Sequence, residues 1–133
     1  MDVGWGTLTT AKQVMGVMYA NTSTDSHGKR RSTLDQARIV ASRQLVAAIL
    51  NTGLPNGASV PVDPVTGKDI ITAARDALKG TSAAEILRLG ALLDAYNNSG
   101  DPIPILDPDH YPIGSADPSL ASSMADISVA DFH

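Results

Sequence analysis

The sequence predicts an all-α protein: a bundle of about four helices followed by an extended, proline- and aspartate-rich C-terminal arm. Three observations carry this reading. Apolar residues recur at helical spacing in four separate stretches. No useful β-alternation is present; the nearest piece, residues 58–62, contains Pro61, which restricts it to a sheet edge. At Asp101 the composition changes, because five of the eight prolines and no Lys or Arg lie from there on. The expected organisation is a helical bundle over 1–100 and an arm over 101–133, with a short terminal helix allowed by Leu120, Met124 and Ile127.

The first helix is expected from about Thr9 to Ala20. Leu8, Ala11, Val14, Met15, Met18 and Tyr19 form its apolar face, and Thr7 or Thr9 caps it. Gly16 inside it costs about 1 kcal/mol against Ala, or lets another element approach closely. Residues 21–31 are polar throughout, with no apolar anchor, and read as an exposed loop. The second helix starts at an N-cap Ser32, with Asp35 suited to the dipole of its first turn. Leu34, Ala37, Ala41, Leu45, Ala48 and Ile49 form its stripe, which Val40, Val46 and Leu50 widen, while Arg38 and Arg43 fall on the other side. Asn51, Thr52 and Gly53 end it. Its apolar breadth marks it as the central helix.

A long connection follows from Leu54 to Lys68, rich in Pro and Gly, and is either functional or tucked against the body. The third helix runs from about Asp69 to Lys79, with Ile70, Ile71, Ala74, Ala77 and Leu78 inward, capped by Asp63 or Thr66 and stopped at Gly80. The fourth opens with a capping box, Ser82 and Glu85. Its stripe is Ile86, Leu89, Leu92, Leu93 and Tyr96, and residues 97–100 end it.

Composition limits the function classes. Of 133 residues, 43% are apolar and 18% charged, which permits a single core, but only 4% are aromatic, so Ala, Leu, Ile, Val and Met must build it. The chain has no cysteine, which excludes a disulfide scaffold, a thiolate metal site and a thiol nucleophile. No apolar run approaches the roughly 20 residues of a membrane span. The net charge of -4 conceals an asymmetry: residues 1–100 hold all ten Lys and Arg with eight acids, and residues 101–133 hold six Asp. Thirteen of the fourteen acids are Asp, a residue of caps and turns rather than helix interiors.

Catalytic constellations are not legible, and the protein reads as a non-enzyme. His27, His110 and His133 have no partners at metal-ligand spacing. No phosphate-cradling glycine loop or nucleophile elbow occurs. A single Glu among terminal Asp residues does not make a glycosidase pair. Lys29, Arg30 and Arg31 form a small basic cluster, but the chain is net acidic and the cluster lacks aromatic interleaving, so nucleic acid is not expected as a partner. No cofactor is expected; the one cation weighed is Ca²⁺, for which Asp63 and Asp69 with the Thr66 carbonyl, or Asp101, Asp107 and Asp109, offer oxygens without the EF-hand spacing.

Two stretches carry a family likeness: Arg43-Gln44-Leu45-Val46-Ala47-Ala48-Ile49-Leu50-Asn51, and Leu92-Leu93-Asp94-Ala95-Tyr96-Asn97-Asn98-Ser99-Gly100. Together they resemble the helical module of large secreted bacterial surface proteins, where a Gln-Leu-x-Ala-Ala-x-Leu-Asn helix precedes a Leu-Asp-x-Tyr-Asn-Asn-Gly ending. The family's Gly-Tyr-Trp-Lys-Asn-His-Pro opening and its cysteines are missing, Ser99 is inserted, and Trp5 with Thr7-Leu8-Thr9 stands in the place of the opening. The likeness covers roughly residues 5–100.

The resemblance implies a non-enzymatic structural or interaction module with an extracellular or cell-surface location. The start Met1-Asp2-Val3-Gly4 carries no signal-peptide pattern, which also leaves a virion structural protein open. A Ca²⁺- or ligand-binding extracellular module is the other alternative. In the first reading the arm docks on a neighbouring subunit, through self-association or within a mixed assembly, and Ile103, Ile105, Leu106, Tyr111 and Phe132 form its partner surface.

Overall fold

The computed structural model describes residues 1–52, 60–98 and 125–132. Within them the chain is helical: α1 spans Ala11–Tyr19, α2 Thr33–Thr52, α3 Ile70–Lys79 and α4 Ala83–Asn97, and a 3-10 helix spans Ile127–Asp131. Among the described residues there are no strands, and three isolated bridges (Asp2 with Thr7, Thr24 with Arg30, Val62 with Asp69) pin the loops. The all-α expectation holds for these residues. Residues 53–59, 99–124 and 133 lie outside the description.

Each of the four α-helices starts on a side-chain cap. The Thr10 hydroxyl accepts from Gln13 N at 3.2 Å, one residue after the expected Thr9. Ser32 takes Asp35 N at 3.1 Å and Ser82 takes Glu85 N at 3.2 Å, as the sequence indicated. For α3 the cap is Asp69, which accepts from Thr72 N at 2.8 Å, rather than Asp63 or Thr66. Each such bond satisfies one of the donors a helix leaves open at its start.

The core is centred on α2 and α4, the most extensively packed pair. Leu45, Val46, Ile86, Leu89 and Leu93 are buried, with Ile70, Ala74 and Leu78 of α3 closing one side. Gly90 makes the approach close: a Cβ there would lie 3.4 Å from the Cβ of Ala41. The widened stripe of α2 is corrected in part. Val40 and Leu50 are exposed, whereas Ile39, Ser42 and Ala47 are buried. The second face of α2 is taken by α1 and by the C-terminal segment, where Ile39 packs with Ala20 and Ala130.

The face of α1 is also corrected. Gly16 and Val17 are its buried residues, while Ala11 and Tyr19 are exposed. The reason is geometric: α1 is held between α2 and the C-terminal segment, so the contact falls at its smallest residue. Its last turn is bound by Arg43 of α2, whose guanidinium donates to Val17 O at 3.3 Å, to the Thr22 hydroxyl at 3.2 Å and to Ala20 O. Arg43 is thus half-buried rather than on a solvent face. Burial, with Arg31 nearby, pushes its pKa down from the ordinary arginine value.

The N-terminal residues form a tight loop, with Val3 N donating to Gly6 O at 3.0 Å and Leu8 N to Met1 O at 2.8 Å. Val3 and Leu8 reach the core. Gly4 has φ +86°, and a Cβ on it would stand 2.4 Å from the Arg75 carbonyl of α3. Both its backbone and its packing therefore require glycine.

Candidate functional site

The C-terminal segment, residues 125–132, returns to the body and is clasped by residues far away in sequence. Asp126 N donates to Lys12 O at 2.9 Å. Beside it, a Cβ on Gly16 would fall 1.8 Å from Asp126 O, so the two backbones meet only because Gly16 has no side chain. Ala130 is fully buried against Ala20 and Ile39.

Polar groups hold the rest of the clasp. Arg31, only 6% exposed, donates Nε to Asn21 O at 2.9 Å and a terminal nitrogen to Ala130 O. Asp131, 7% exposed, accepts from the Ser26 backbone at 2.8 Å and from the Ser26 hydroxyl, with His27 Nε2 at 3.8 Å. Residues 21–31 have no apolar anchor, as the sequence indicated, but they are not unanchored. Their anchors are polar: Asn21, Ser26 and Arg31 bind backbone and carboxylate, and Asp25 organises the turn by accepting from His27 N and Lys29 N. Arg31 is also withdrawn from the basic cluster, leaving Lys29 and Arg30 exposed.

Phe132 ends the clasp in a left-handed conformation, φ 59°. Its ring meets Trp5 edge-on, with centroids 4.8 Å apart and planes at 89°. The Arg31 and Arg38 guanidinium carbons lie 5.5 and 5.8 Å from its centroid. An edge-to-face pair flanked by cations suits the quadrupole of the ring. Trp5 is fixed in turn by its indole N–H, which donates to the buried Ser42 hydroxyl at 2.7 Å. Of the five residues expected at a partner surface, Phe132 thus lies on its own body. Ile103, Ile105, Leu106 and Tyr111 lie outside the described residues.

A second polar centre sits under the loop before α3. Asp63, with its side chain 0% exposed, receives both terminal nitrogens of Arg88 at 2.8 and 2.9 Å. It also accepts from Val65 N at 3.1 Å and the Thr66 hydroxyl at 2.8 Å. Arg88 reaches back to Glu85 at 2.6 Å. The hydrogen bonds from Arg88 hold the Asp63 carboxyl well below the usual carboxylate range, and Asp63 and Glu85 together raise the Arg88 pKa. Both oxygens of Asp63 are therefore engaged by protein donors. Asp69 likewise gives its oxygens to Thr72 N and to the Thr72 hydroxyl, at 2.8 and 2.7 Å. The Asp63–Asp69 loop is thus a fastening of the long connection, which is tucked in at this end. The other cation candidates, Asp101, Asp107 and Asp109, lie outside the description, and among the described residues no three His, Asp or Glu side chains converge on a metal position.

Compared with known proteins, the chain matches no family model, no curated protein and no solved structure. The two stretches that carry the family likeness nevertheless meet in space. Asn97 Nδ2 donates to Gln44 O at 3.0 Å and to Gln44 Oε1 at 2.7 Å, and Asn51 Nδ2 donates to Asn97 Oδ1 at 3.0 Å. A Gln and two Asn thus pin the end of α4 to α2, a packing role for Asn51 and Asn97, which the sequence offers as helix-end types. No helix among the described residues is long and apolar enough to cross a membrane.

Sequence reasoning missed Ser26, Arg31 and Asp131, which make the clasp. The available signal was Gly16, where a close approach was anticipated without its occupant.

Proposed function

We propose that the chain is a non-enzymatic interaction module whose Asp- and Pro-rich stretch engages a second copy of the same chain. One observation carries this reading. The C-terminal segment is seated on the body at Gly16, Ile39 and Trp5. The residues that flank the Asp- and Pro-rich stretch, Asn98 at the end of α4 and Ala125 before the C-terminal segment, therefore belong to one body. Between those flanks the sequence places four Asp, no Lys or Arg, and the apolar residues Ile103, Ile105, Leu106 and Tyr111. With Phe132 engaged on its own body, those four are the partner residues of this reading. The acids suit the exposed Lys and Arg of another copy, since residues 1–100 hold every cation of the chain. A secreted or surface-assembled bacterial setting follows from the sequence resemblance.

The test is replacement of residues 101–124 by a Gly/Ser segment of equal length, followed by sedimentation velocity and thermal unfolding. The parent chain is expected to self-associate. The replaced chain is expected to stay monomeric with an unchanged melting temperature. Assembly that survives the replacement, or a parent that remains monomeric, overturns the reading.

A further inference from the structure

We draw no further inference here: the strongest candidate, the cleft between the Gly4–Thr7 loop, the end of α3 and the C-terminal segment, carries nothing because the Arg38 guanidinium on its lining is already engaged by Asp35 and Gly80 O and nothing in the structure shows what fills it.

Discussion

The α2–α4 interface and the C-terminal clasp hold the same body by different physics. The first joins two long helices through Leu45, Val46, Ile86, Leu89 and Leu93, with Gly90 against Ala41. Its strength is apolar area removed from water, which tolerates small displacements. The second joins a short segment to loops through Arg31, Ser26, Asp131 and a bare glycine backbone. Its strength is geometric, because a misplaced donor or one added methyl leaves buried polar groups unsatisfied. The contrast implies that damage to the first spreads through the whole body, while damage to the second stays local.

The largest expected effect breaks that contrast from the core side. Leu45 is 0% exposed at the centre of α2. Leu45→Ala should cost about 3 kcal/mol through lost transfer energy and the cavity left behind. Urea unfolding followed by far-ultraviolet circular dichroism and by Trp5 fluorescence should move together in this variant, because both report one cooperative unit.

Gly16→Ala tests the other side. Alanine gains about 1 kcal/mol of helix propensity at this position. Against that stands a Cβ placed 1.8 Å from the Asp126 carbonyl, a backbone atom that no rotamer change can move. Overpacking of this kind costs roughly 1–3 kcal/mol, so the clash wins by a modest margin. The expected result is release of residues 125–132 with the helical signal kept. Trp5 is the single tryptophan of the chain and touches Phe132 directly, so its fluorescence should change while circular dichroism does not. Coincident loss of both signals would show the clasp to be part of the main cooperative unit.

The smallest effect at neutral pH concerns acid. Asp63 has its pKa depressed in the folded state by Arg88 and its other donors. Its stabilisation is therefore complete above the unfolded carboxyl value of about 4 and fades as pH falls below it. The parent's melting temperature should drop below about pH 4, and Asp63→Asn should flatten that drop while lowering the neutral-pH value. An unchanged acid slope in Asp63→Asn would assign the acid sensitivity to other carboxylates, among which Asp69, Asp76 and Glu85 also have lowered pKa values.

These two modes of adhesion explain what could be read beforehand. Helices α2, α3 and α4 were legible because apolar residues recur within each at the helical period (Ala41, Leu45 and Ala48; Ile70, Ala74 and Leu78; Ile86, Leu89 and Leu93), and Ser32 and Ser82 cap where capping chemistry requires. The face of α1 was misjudged because its deciding contact is made by Gly16, a residue without a hydropathic signal. The clasp was illegible for a related reason. Arg31 and Asp131 bind backbone and hydroxyl groups, and nothing local in a polar sequence announces a polar partner a hundred positions away. Asp63 was read as a candidate cap or cation ligand because its turn chemistry is local. Its true partner, Arg88, lies on another element.

The span closed by the clasp also bears on the order of events in folding. Ser26 meets Asp131 across 105 positions, and Arg31 meets Ala130 across 99. Closing so long a loop is entropically costly until the intervening helices have condensed and brought the ends near. The clasp is therefore expected to assemble last, on a body already formed. By the same reasoning it is the first part to open, so slow hydrogen exchange should mark α2 and α4, and the amides of Asp126 and Val129 should exchange through sub-global openings well below the barrier to complete unfolding.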